Sequence, residues 1–226
     1  MSRKDEIKAL YGQGKDNSIY DGIKTGSSGL GRLLMKTVWT MSPEDQLACL
    51  SETFAGLPAD FGGSVLELPV GTGVLSMPFW RSQEKAEITC LDPSENMLSM
   101  ARERAENMKI NNVHFVQGDV CALPFPDESF DAVVSVNGFH AFKDKDGAFS
   151  EVRRVLKPGG TFCGCFYCEG RNVKTDKMIR RFYVRTGYYI PPFETPESLR
   201  RRLSVDYTDV RVSNVKSIAV FSCVKA

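Results

Sequence analysis

From residue 64 to 168, short runs of β-branched and apolar residues alternate with longer stretches in which apolar side chains recur every three or four positions. The short runs, at 65–68, 88–92, 113–116, 130–136 and 161–166, read as five strands. Met97, Leu98, Ala101, Ala105 and Met108 mark a helix between the second and third, and Phe149, Val152 and Leu156 another between the fourth and fifth. Strand and helix in alternation predict parallel strands joined by right-handed crossovers, hence a doubly wound α/β sheet with helices on both faces.

The flanks follow other rules. Two helices are expected ahead of the core, at 29–40 and 43–55, the second opened by Ser42 as N-cap with Pro43 at the first helical position and acids in the first turn. Behind the core come a basic, aromatic helical stretch near 174–186, an aromatic and proline-rich loop at 188–193 and a short helix at 196–203. Two closing strands, near 209–215 and 218–224, are separated by only a residue or two, which predicts an antiparallel hairpin.

Composition narrows the classes. With 226 residues the chain suits one well-buried domain. Its 29 basic and 28 acidic side chains leave a formal charge of +1, so no nucleic acid or anionic membrane is expected as the main partner. The first eight residues carry acids as well as bases ahead of no apolar core, unlike a signal or transit peptide. No apolar run reaches the roughly 18 residues of a membrane span. Seven cysteines then read as reduced thiols, and the cytoplasm is the expected location.

Candidate chemistry gathers at the carboxyl ends of three successive strands, where open α/β sheets bind ligands. Glu67-Leu68-Pro69-Val70-Gly71-Thr72-Gly73 follows the first strand, and glycine there lets backbone approach a ligand where a Cβ would collide. Asp92 ends the second strand, where a carboxylate can accept both hydroxyl hydrogens of a ribose. Gly118-Asp119-Val120 ends the third, where a carboxylate beside a free amide can read an adenine edge.

As an ordered set these residues resemble class I S-adenosylmethionine-dependent methyltransferases. Arg153 to Gly160 is similar to the segment before that family's fifth strand, and Leu123 to Asp131 to its small-molecule branch, which includes ubiquinone and menaquinone biosynthesis methyltransferases. The resemblance covers roughly residues 60 to 165 and implies a seven-stranded sheet with one reversed strand near the C-terminus. It departs at Pro69, where the family commonly has its first glycine, and at Val70. The resemblance implies S-adenosylmethionine as cofactor and S-adenosylhomocysteine as product. Glu67 would sit near the methionine amino group, Pro69, Gly71, Thr72 and Gly73 under the cofactor, and Asp92 with Pro93 at the ribose. Met97, Asp119 and Val120 would meet the adenine, and Asn137 and Gly138 would close the methionine side. The single domain, 1–226, would then comprise an N-terminal helical cap (1–60), a cofactor-binding core (61–168), a substrate-side helical and aromatic insertion (169–206) and the closing hairpin (207–226).

On the acceptor side, His140 follows the fourth strand and is read as a base or as a residue that positions the acceptor. Tyr20, Phe142, Tyr183, Tyr188, Tyr189 and Phe193 lie outside the core and suit an apolar lid over a small acceptor; Trp39 reads as packing of the cap itself. The arginines at 180, 181, 185 and 200 to 202 read as solvated helix faces. No metal is expected, and the chain is expected to be a monomer or homodimer. Three other readings stand beside this one: a thiol or metalloid methyltransferase using Cys163, Cys165 and Cys168, a nicotinamide-dependent oxidoreductase, and a binding module that senses the cofactor. Strand alternation places Cys163 and Cys165 on one face and Cys168 on the other.

Overall fold

The five β-rich runs pair as parallel strands in the computed structural model, which describes residues 21–22 and 25–226. They are β1 (Ser64–Glu67), β2 (Glu87–Asp92), β3 (Val113–Gln117), β4 (Phe130–Val136) and β5 (Leu156–Tyr167). β6 (Tyr207–Val215) and β7 (Ile218–Lys225) form the expected hairpin, and the sheet order is β3-β2-β1-β4-β5-β7-β6. β7 runs antiparallel to both β5 and β6. The outcome is a Rossmann-like sheet with one reversed strand inserted beside β6.

Side-chain alternation divides the core into two layers. Val65, Ile88, Val134, Cys163 and Cys165 face α2 (Pro43–Phe54) and α4 (Glu95–Asn107). Leu66, Leu91, Val133, Phe162 and Phe166 face α5 (Lys145–Val155) and α7 (Pro196–Asp206), and Cys168 joins this second layer. In the first layer Phe54 of α2 stacks on Phe79 of α3 (Met77–Trp80) with ring centroids 4.1 Å apart. Truncating such a ring to alanine costs about 3–5 kcal/mol.

Local chemistry explains the boundaries. α2 starts in a capping box formed by Ser42 and Asp45, and α7 in one formed by Thr195 and Ser198. α3, the helix after the glycine turn, is a single turn, because the polar stretch 81–85 offers no apolar repeat to hold more turns on the sheet. β5 begins before the expected residue 161: Leu156 pairs with Phe130, the register then shifts, and Thr161 pairs with Ala132, with Gly159 at φ +73° inside the irregular stretch. The expected helix 29–40 is α1 (Gly29–Leu34) continued by a π-helical turn, Met35–Trp39. Likewise α6 (Val173–Met178) continues into a π turn, Ile179–Tyr183. The two π turns face each other, with the Trp39 and Tyr183 ring centroids 6.1 Å apart.

At the outer edge, β6 changes register between Thr208 and Arg211. Arg200 of α7 donates to the carbonyls of Val210 and Val212 at 3.3 and 2.7 Å. Among the described residues no helix is long and apolar enough to cross a membrane.

Candidate active site

The turn after β1 is held from several sides. Val70 N–H donates to Leu91 O at 2.9 Å, tying the turn to β2. Gly71 has φ +57°, and a Cβ there would meet nothing within 4 Å, so backbone conformation favours glycine while open space lies in front. Gly73, at φ +69°, packs so closely on α3 that a Cβ would lie 2.8 Å from Met77 Cγ. Asp92 is 4% exposed; its Oδ2 accepts from Gly71 N–H at 2.8 Å and its Oδ1 from Ser94 N–H at 2.9 Å. Burial pushes its carboxyl above the ordinary range and the two amides pull it back. A carboxylate so oriented beside open space fits a ligand that brings hydroxyl donors.

Two further anchors have no counterpart in the sequence reading. Thr72 Oγ1 donates to Asp21 Oδ1 at 2.6 Å. Arg104 of α4 donates to Thr72 O at 3.0 Å and pairs with Asp21. No local pattern joins Asp21 to Arg104, which lie 83 residues apart.

Glu67 points into the core beneath the turn. It is 1% exposed, and its Oε2 accepts from Trp80 Nε1 at 2.6 Å, with Cys90 Sγ at 3.6 Å. The buried indole needs an acceptor, and the carboxyl supplies it beneath the turn. Burial outweighs the Trp80 hydrogen bond and raises the Glu67 pKa to about 7. Asp119 is exposed, with Oδ1 accepting from Cys121 N–H at 2.9 Å, and Val120 is buried in the second core layer. Met97 is half-buried at the start of α4, and the exposed Pro93 accepts at its carbonyl from Gln117. Asn137 has φ +56°, and its N–H donates to Cys165 O at 2.7 Å. Gly138 lies against Pro69: a Cβ on it would stand 2.3 Å from Pro69 Cδ.

Beside this turn opens a cavity of about 90 Å³. Leu75, Asn137 and Cys165 contribute from the sheet side, and Leu34, Met35, Trp39 and Met41 from the N-terminal elements. Tyr183 and Tyr189 close it from the insertion, and Gln46 and Asn137 bring amide groups. Among the described residues that line it, none is charged. Trp39, expected as packing of the cap, is a cavity wall in ring contact with Tyr183 and Tyr189.

The remaining expected acceptor-side residues distribute unevenly. His140 is 3% exposed and stacks on Tyr189 with centroids 4.0 Å apart, so it stands behind the wall instead of in the cavity. Its Nδ1 accepts from Tyr167 N–H at 3.4 Å. Phe142 packs on Phe139 in the second core layer, because the 3-10 turn Phe139–Ala141 carries it around. Tyr188 is 67% exposed, and Phe193 supports the wall from behind through Tyr167 and Tyr189. Tyr20 lies outside the described residues. The wall is strapped down at Ile190, whose N–H donates to His140 O at 2.9 Å and whose carbonyl accepts from Lys145 Nζ at 2.6 Å.

The thiols do not form a reactive group. Burial pushes Cys163 and Cys168 up to about 12 and raises Cys165 as well, so all three stay protonated near neutrality, on two faces of the sheet. Three of the six arginines are engaged structurally: Arg180 with Glu169, Arg202 with Glu194 and Asp146, Arg200 with β6.

Solved structures share this arrangement of sheet and helices. A SAM-dependent methyltransferase from Thermotoga maritima superimposes with a TM-score of 0.65 at 20% identity, over 92% of this chain and 99% of that one. Phosphoethanolamine N-methyltransferase 2 of Haemonchus contortus, in complex with S-adenosyl-L-methionine, gives 0.64 at 20%, over 93% and 60%. The [4+2]-cyclase SpnF gives 0.65 at 19%, over 80% and 81%. Residues 65–160 match the family model described as a methyltransferase domain. The ubiquinone/menaquinone biosynthesis C-methyltransferase UbiE of Escherichia coli O1:K1 is 44% identical over 101 residues, 44% of this chain. The match spans 40% of that relative's length. The core of this chain, residues 65–160, is thus similar to methyltransferase domains, and its fold is one that S-adenosylmethionine-dependent methyltransferases share.

Proposed function

We propose that the protein transfers a methyl group from S-adenosylmethionine to a small, largely apolar acceptor. The observation that carries this reading is a juxtaposition: the Asp92-braced glycine turn and the uncharged cavity meet at Leu75 and Asn137. When bound, the cofactor supplies a methyl already activated on a sulfonium, so the protein's task is alignment and exclusion of water. Asp92 would hold the ribose hydroxyls, with Pro93 beside it, and Gly71, Thr72 and Gly73 would let backbone approach. Met97, Val120 and Asp119 would border the adenine, and Asn137 with Gly138 the methionine end. Glu67 would act through the shape of the turn, since its carboxylate is committed to Trp80.

The acceptor would lie between Trp39, Tyr183 and Tyr189, with Gln46 and Asn137 as its polar contacts. His140 would position the acceptor by backing Tyr189. A fold shared with a cyclase does not by itself define the reaction. The test is therefore chemical: incubation with isotopically labelled methyl donor and a metabolite extract, read by mass spectrometry. Label in a small apolar product supports the proposal. Absence of transfer together with tight NAD binding would establish the oxidoreductase reading instead.

A further inference from the structure

The residues that wall the cavity on its N-terminal side, Leu34, Met35, Trp39 and Met41, all follow Asp21 in the chain. Asp21 is also where that segment touches the cofactor turn. Its side chain is 1% exposed; Oδ1 accepts from the Thr72 hydroxyl at 2.6 Å, and Oδ2 pairs with Arg104. Arg104 Nε donates to the Thr72 carbonyl at 3.0 Å, which closes a ring of three residues. Thr72 is itself 2% exposed and lies between Gly71, whose N–H is held by Asp92, and Gly73. A buried carboxylate is costly unless it is both paired and hydrogen-bonded. Asp21 meets both conditions on the turn, through Arg104 and the Thr72 hydroxyl.

We infer that Asp21 and Arg104 are positioning residues that couple the two halves of the site. Docking of Asp21 onto Thr72 sets the turn that takes the cofactor, and the same docking sets the start of the wall that confines the acceptor. This inference rests on the function proposed above. Coupling of this kind is reciprocal: cofactor in the turn favours the docked wall, and the docked wall favours cofactor. Its consequence is an order of events in which the acceptor cavity is completed after the cofactor is in place, so the activated methyl is covered from water.

The experiment is titration of the full chain with S-adenosylhomocysteine, combined with hydrogen–deuterium exchange of residues 29–41. In Asp21→Asn, affinity falls about tenfold, the size of a lost charge-assisted hydrogen bond. Thr72→Val keeps the volume and the ion pair but removes the hydroxyl, and loses about threefold. The double variant loses less than the product of the two single losses, because both changes fall on one three-residue network. Asp21→Glu restores part of the loss. S-adenosylhomocysteine slows exchange at 29–41 in the unmodified protein and much less in Asp21→Asn. If the unmodified protein does not bind S-adenosylhomocysteine, the proposed function falls and the coupling with it. If it binds but Asp21→Asn is indistinguishable, the coupling alone is overturned. Should Asp21→Asn fail to fold, Thr72→Val decides in the same way: wild-type affinity with exchange indifferent to ligand overturns the coupling.

Discussion

Pro69 Cδ rests against the α-carbon of Gly138, so closely that a Cβ on Gly138 would stand 2.3 Å from it. The ring that departs from the family's first glycine thus locks the turn after β1 to the exit of β4. Ser135 Oγ crowds the same Cβ position at 2.9 Å. Gly138→Ala should cost about 1–3 kcal/mol in chemical denaturation, the range for overpacking, and weaken S-adenosylhomocysteine binding. Unchanged unfolding would show that the two turns move apart freely.

Glu67 makes stability depend on pH in an unusual direction for a carboxylate. Its folded pKa of about 7 lies above the ordinary value of 4.5, so the native state binds the extra proton between those values. Stability from this group is fully present below pH 4.5 and is lost as pH rises through 7, by an amount on the order of 3 kcal/mol. Glu67→Gln keeps an oxygen for Trp80 Nε1 and carries no proton to lose. Its melting temperature should therefore vary less between pH 5 and 8 than that of the unmodified protein, and equal slopes would refute the assignment.

His140 offers a clean division between proton chemistry and packing. His140→Phe preserves a ring behind Tyr189 but has no titratable nitrogen. With a positioning role, turnover should fall by no more than about tenfold, whereas loss of a general base costs 10²–10⁴-fold. His140→Ala should lower acceptor affinity more than His140→Phe does. A collapse of turnover in both variants would restore the base reading.

Thiol accessibility follows from burial. Six of the seven cysteines are buried and Cys121 is half-exposed. A thiol-specific chromogenic reagent at pH 8 should therefore titrate one group in the folded protein and seven in denaturant. Rapid reaction of Cys49 or Cys165, which line the cavity, would mean that the wall opens more often than its hydrogen bonds suggest.

Much of this architecture is legible in the chain because buried parallel strands and amphipathic helices repeat at fixed periods. β1 to β5, the hairpin and the division of Cys163, Cys165 and Cys168 between two faces all follow from that periodicity. The cavity does not, since it is assembled from elements whose mutual placement leaves no local trace. Trp39 at the end of a helical turn looks like any packing aromatic, and only the fold brings it to Tyr183 and Tyr189. Glu67 turns inward because of Trp80, 13 residues further on, and Phe142 leaves the cavity because a short 3-10 turn intervenes after Gly138. Asp21 and Arg104 meet only in three dimensions.

One arginine bears on how copies of this protein behave toward one another. Arg200 occupies the carbonyls of Val210 and Val212, acceptors on the outermost strand that would otherwise pair with a foreign strand. The shifted register between Thr208 and Arg211 adds a bend in the same stretch. The guanidinium therefore acts as a guard against edge-to-edge stacking, and the open sheet ends where β6 ends.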